Sequence, residues 1–439
     1  MPVTLPITPE TVTRTTLDNG LVVLVKQNPH NPSVTLRGRI RAGALYDTSE
    51  TAGLAEMTTA ALQRGTRKRS FQQLNEELDR AGMSFGVGSG MESIGFSGKC
   101  LVEDFDRLLD IASDVLRNPT FPREEVDKLR NEIVTDLKEA DQDTQRVAYR
   151  EFRRLLYPSL HPYHRLSDGT VETVSKLRVP ALRNYHSTYF RPDRTAIVLV
   201  GDITPEQALE KVNRAFGDWP VRGLGPAHVI PDSPAATSVM RADSPLEGKT
   251  QTDLVLGYVG LRRTDPDFYA LNVGDLIFGR LGLYGRLGAS VRDKQGLAYY
   301  VYSSVEANVG PGPWAIHAGV NPRNLERAIA GILDEIYRLR TQPVSADELG
   351  EAVDFMTGSL ALRLETNEGV GATLSDIESF DLGLDYLERY PGIIKGITPD
   401  QIVAVVQKYA LPERYVVSTA GPMQPKQVPA EQAEVARAH

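Results

Sequence analysis

The chain has 439 residues, too many for one ordinary hydrophobic core and suited to two or three domains. Apolar residues make up 41% and charged residues 24%, the balance of a soluble globular protein. The formal charge of −8 argues against nucleic acid as the main partner, which would favour a basic face, and no run approaches the ~18 apolar residues of a membrane span.

The single cysteine, Cys100, excludes an internal disulfide and reads as a buried, inert thiol in a strand. It suits a reducing compartment. The N-terminus has neither a basic n-region nor an apolar h-region, so the expectation is a cytoplasmic protein, or a periplasmic one if a signal was trimmed.

In chain order, residues 1–12 are punctuated by proline and read as a surface segment. Thr15 to Val25 is a hairpin signal, with Asp18-Asn19-Gly20 supplying the positive-φ turn. Residues 33–42 read as a strand. Thr51 to Gly65 reads as a helix, because Leu54, Met57, Ala61 and Leu62 form one apolar stripe and Gly65 stands where a helix would stop. Ser70 caps the next helix, with Gln73 at the capping-box position.

Met83–Val87 and Glu92–Cys100 read as paired strands. Phe105 to Leu116 reads as an amphipathic helix ended by Asn118-Pro119, and a long helix follows from Glu124. Thr195 to Val200 is a buried strand, and a helix covers about 205–216. Residues 217–248 are rich in proline and glycine and read as an interdomain linker.

The second half repeats the first at an offset of about 220 residues. The helix, Asn-Pro, helix pattern of 102–137 returns at 322–360, where Gln342-Pro343 precedes a helix opening at Ser345. Tyr189-Phe-Arg-Pro192 before one strand is echoed by Tyr409-Ala-Leu-Pro412 before another. The expected fold is α+β: two homologous α/β-sandwich domains with largely antiparallel sheets, at 1–216 and 249–425, and a frayed tail at 426–439.

Order and motifs together resemble the pitrilysin (M16) metallopeptidases over nearly the whole chain. The resemblance is carried by the helix ending in Arg64-Gly65-Thr66, by Gly201-Asp202 at a strand end, and most specifically by Arg292-Asp-Lys-Gln-Gly-Leu-Ala-Tyr299. It implies a fold like that of LuxS and the mitochondrial processing peptidases. The family's first helix carries H-x-x-E-H, two histidines for zinc and a glutamate for its bound water. Here the histidine positions are Gly53 and Met57, and Glu56 alone remains; the third ligand aligns with Asp136, one methylene shorter than glutamate. One carboxylate and a thioether do not make a zinc site.

The family's R/Y element is kept as Arg292 and Tyr299. The resemblance therefore implies the non-catalytic subunit of a heterodimeric M16B zinc peptidase. This chain would bind no cofactor. The partner, with an intact H-x-x-E-H helix, would hold zinc, while Arg292 and Tyr299 would act on a peptide substrate in the partner's site. The alternatives are a structural or peptide-binding homologue, like the core subunits of respiratory complexes, and a homodimer with a metal site built on Glu56 and Asp136. Three weaker signals are set aside. His161-Pro-Tyr-His164 has ligand-like spacing without surrounding carboxylates. Gly279 to Gly288 is glycine-rich but lacks Gly-Lys-Ser/Thr, and reads as a flexible loop. His186 beside Tyr185 reads as a packing or capping residue.

Overall fold

The computed structural model describes residues 7–422 except 224, 226 and 228, so the frayed tail expected at 426–439 lies outside the described residues. Two mixed sheets organise the chain. The first has the order β1-β2-β6-β3-β5-β4, from β1 (Thr13–Thr16), β2 (Val22–Gln27), β3 (Ser33–Ile40), β4 (Ser84–Ser89), β5 (Ile94–Leu101) and β6 (Thr195–Gly201). The second has the order β7-β11-β8-β10-β9, from β7 (Met240–Pro245), β8 (Thr252–Val259), β9 (Ala298–Val305), β10 (Pro313–Val320) and β11 (Val416–Gly421). Among the described residues, only β2–β6 and β7–β11 pair in parallel.

The duplication is visible at the level of register. Ser33 of β3 faces Leu101 of β5, as Thr252 of β8 faces Val320 of β10. Val34 faces Gly201 of β6, as Asp253 faces Ala420 of β11. Each pair is repeated at the same offset, so the two halves share one backbone plan. The fold class expected from the sequence holds.

Local chemistry explains most element boundaries. Gly20 takes φ 84° in the turn between β1 and β2, where the Asn19 side chain also ties that turn to the Phe216 carbonyl. Capping boxes open the helices Phe71–Arg80, Pro205–Phe216, Ala346–Arg363 and Pro399–Tyr409, from Ser70, Thr204, Ser345 and Thr398.

Each half lends a helix to the other. Helix Thr144–Leu156, from the first half, lays Val147, Ala148 and Phe152 on Val255, Ala315 and Val416 of the second sheet. Helix Asn367–Ser379, from the second half, lays Val370, Leu374 and Ile377 on Leu24, Val198 and Val200 of the first. Each sheet is thus covered on both faces, which is why β6 and β11 are almost continuously buried. The loop tips also meet: the Glu92 carboxylate accepts from the Val309 and Gly310 N–H groups at 2.9 Å and from the Tyr163 hydroxyl.

Four sequence expectations need correction. The helix expected over 51–65 is α-helical only at Leu54–Ala61, and a 3-10 turn, Leu62–Arg64, carries it to Gly65. The span read as a linker, 217–248, contains β7, an edge strand whose alternating half-exposed residues hide its pairing with β11. The surface segment at the N-terminus buries Ile7 and Val12 under helix Asn367–Ser379. The glycine-rich stretch 279–288 is folded into short helical turns. Cys100 is buried in β5, and burial pushes its thiol up to about 12. Among the described residues, no helix is long and apolar enough to cross a membrane.

Candidate active-site remnant

Helix Leu54–Ala61 sits where the sequence placed it, and its start is held by Asp47. That carboxylate accepts from the Gly53 N–H at 3.0 Å and the Ala55 N–H at 3.2 Å. Gly53 has φ 90° and ψ 0°, a left-handed conformation that suits glycine. A Cβ there would lie 2.7 Å from the Asp168 carbonyl oxygen and 2.8 Å from a methyl of Val174. The segment 168–174 is pressed against the helix start, and Thr173 donates to the Ala52 carbonyl at 2.7 Å. Position 53 therefore has no room to project an imidazole.

The other positions fit a metal no better. Met57 is fully buried in the first-half core, packed as an aliphatic filler. Glu56 is half-buried; burial, then the neighbouring Asp168 carboxylate, raises its carboxyl above the usual range. Asp136 is exposed on helix Arg123–Ala140, which turns Val126, Leu129 and Leu137 inward. Among the described residues, no three His, Cys, Asp or Glu side chains group to hold a metal ion. The residues present do not fit zinc.

Arg292 and Tyr299 lie in the second half. Arg292 is exposed on the helical turn Gly288–Lys294, anchored by the buried Val291. Tyr299 is 58% exposed on β9, the edge strand of its sheet. The β9–β10 pairing slips at this point: Gly319 faces Tyr300, but Val320 faces Ala298, which leaves Tyr299 as the extra residue of a bulge. Bulges re-aim side chains and occur beside active sites. Among the described residues, no hydrogen bond or ion pair holds either side chain, and both are available to a ligand.

Sequence reasoning missed the cavity between the halves. An open cleft of about 540 Å³ is lined by Arg146 and Asp168 of the first half and Tyr302, Glu306 and His317 of the second. Arg146 is ion-paired to Asp168. His317 stacks on Tyr302 with ring centres 4.8 Å apart, and burial pushes it down to about 4, so it is neutral at pH 7. No spacing rule links these residues, because the contact depends on the lent helix Thr144–Leu156.

The remaining histidine signals resolve into structure. The His161 ring meets the Pro231 carbonyl at 3.1 Å and accepts from the Tyr163 N–H, while His164 meets the Tyr157 carbonyl at 2.9 Å. His186 bonds the Leu116 carbonyl at 2.9 Å and packs on Phe190; burial lowers it to about 4.

Residues 22–157 match the family model described as insulinase (peptidase family M16), and residues 176–356 match the model described as the peptidase M16 inactive domain. The chain belongs to peptidase family M16. Among M16 relatives, it is 28% identical to an uncharacterized zinc protease of Streptomyces coelicolor, over 95% of this chain and 91% of the relative. It is 26% identical to an uncharacterized zinc protease of Bacillus subtilis, over 90% and 98%. The fold is also that of a solved M16 inactive domain from Pseudomonas fluorescens, with a TM-score of 0.88 at 24% identity over 95% of this chain and 99% of that one. The first M16 match contains helix Leu54–Ala61 and the second contains Arg292 and Tyr299.

Proposed function

We propose that this chain is the non-catalytic subunit of a heterodimeric M16B zinc peptidase acting on peptides. The observation that carries the reading is a contrast between two sites. At Gly53 and Met57 the ligand positions are closed into backbone and core, whereas Arg292 stands free on a helical turn and Tyr299 at an edge-strand bulge. A tyrosine hydroxyl is a single donor for an oxyanion, and a guanidinium is a planar fork for a carbonyl or for orienting the tyrosine. A subunit with an intact H-x-x-E-H helix would supply the metal site, and these two side chains would complete it.

The test is reconstitution. The pure chain is expected to cleave no peptide, and mixing it with a zinc-bearing M16 partner is expected to restore cleavage. Arg292→Ala or Tyr299→Phe should lower the pair's turnover roughly tenfold or more. Chelator-sensitive cleavage by the pure chain would overturn the reading, as would an unchanged rate in both variants.

A further inference from the structure

In the second half, Asn272, Leu276 and Ser359 line a cavity of about 590 Å³ between helices 268–280, 346–363 and 367–379.

The lining has two parts. One wall is aromatic, from Phe268, Phe355, Phe380, Tyr386 and Tyr390, and Phe355 remains 50% exposed. The other is basic, from Arg263, Arg280 and Arg363. Arg263 is structural: its guanidinium lies 4.0 Å from the centre of the Phe268 ring and donates to the Tyr386 hydroxyl at 2.9 Å. Arg280 uses one nitrogen on Asn272 at 2.7 Å. Among the described residues, no hydrogen bond or ion pair engages Arg363. The three cations converge, since the Tyr390 hydroxyl is raised by burial but pulled down by Arg280, Arg363 and Arg263. The one carboxylate in the lining, Asp376, is already paired with Arg39 from the first half at 3.3 Å. The cavity therefore has an apolar floor and an uncompensated positive rim.

We infer that this cavity binds the carboxyl-terminal end of a peptide, with an aromatic or aliphatic last side chain among the rings and its terminal carboxylate on Arg280 and Arg363. Bidentate guanidinium–carboxylate pairing suits that group, and an aromatic body gains from stacking in the same space. The peptide class rests on the function proposed above, but the site needs neither the partner nor its metal.

The experiment reads binding to the isolated full chain by fluorescence anisotropy. The probes are a labelled hexapeptide ending in phenylalanine as the free acid, the same peptide as the carboxamide, and dodecanoate as competitor. The free acid is expected to bind at least tenfold more tightly than the amide. Arg280→Gln with Arg363→Gln should bring the acid down to the amide's level. Ser359→Trp, which fills the cavity from a helix surface, should weaken both peptides at least tenfold. Equal binding of acid and amide, or no binding of either, would overturn the inference. So would dodecanoate displacing the probe while unlabelled peptide acid does not. Because cleavage is not read, a failed reconstitution leaves this result standing, and the reverse also holds.

Discussion

Two helices at matching places in the duplicated plan have opposite surroundings. Around Leu54–Ala61, a left-handed glycine and a buried methionine close the space, and the segment 168–174 seals the helix start. Around 268–276, Asn272 and Leu276 open onto a cavity, while Asp275 is wholly buried and accepts from the Trp314 indole at 2.9 Å. Beneath them, five strands recur in the same order, with β1 as an extra edge of the first sheet, and the three central strands keep their register. The difference teaches that the frame does not depend on the site: strands and lent helices carry the fold, and the positions between them are free to be packed shut or left open.

The largest effects should come from the lent helices. Phe152 is fully buried between the first-half helix and the second sheet, and Phe152→Ala should destabilise the chain by about 3–5 kcal/mol. Leu374, its reciprocal, should lose about 2–5 kcal/mol as Leu374→Ala. The two tryptophans report the halves separately, since Trp219 packs in the first core and Trp314 in the second. In Trp219→Phe and Trp314→Phe backgrounds, each truncation is expected to move both fluorescence midpoints together. A shift confined to one reporter would show that the halves unfold independently.

Next in size is the closed site itself. Gly53→Ala forces a side chain into a left-handed residue and against the Asp168 carbonyl, and should lower stability by about 2–4 kcal/mol. Asn272→Ala, on the helix that opens onto the second-half cavity, removes one exposed hydrogen bond and should change stability by less than about 1 kcal/mol. Equal losses in denaturant unfolding would erase the contrast between the two sites.

Legibility followed the range of the physics. Capping boxes, the turn at Asp18-Asn19-Gly20 and the helix–Pro–helix repeat are local, and each is written within a few residues. The lent helices were not readable, because the apolar face of Thr144–Leu156 says that it is buried but not by which sheet. The strand β7 was masked because half-exposed edge residues alternate with polar ones. That positions 53 and 57 hold no histidine could be seen at once, but not that Gly53 is left-handed and sealed by a segment more than a hundred residues away. The bulge at Tyr299 likewise depends on how β9 pairs with β10.

The smallest expected effect is a pH dependence at the start of the first-half helix. Asp47 holds the start of helix Leu54–Ala61, and burial pushes its carboxyl from 3.8 up to about 7, opposed by the Ala55 and Gly53 N–H groups and by Arg165. Because the folded-state value is raised, the protonated carboxyl is favoured by folding. Its contribution is complete below pH 4, where both states hold the proton. It is lost as the pH rises toward 7, where the unfolded chain is already ionised. One proton of difference corresponds to about 1.4 kcal/mol per pH unit, so a fall of about 1 kcal/mol per unit is expected between pH 5 and 6. Asp47→Asn keeps an acceptor for the helix start and cannot ionise. The difference in unfolding free energy between the two proteins should therefore slope with pH across this interval. A constant offset would mean that only the capping geometry had changed, and that Asp47 titrates as an ordinary carboxylate.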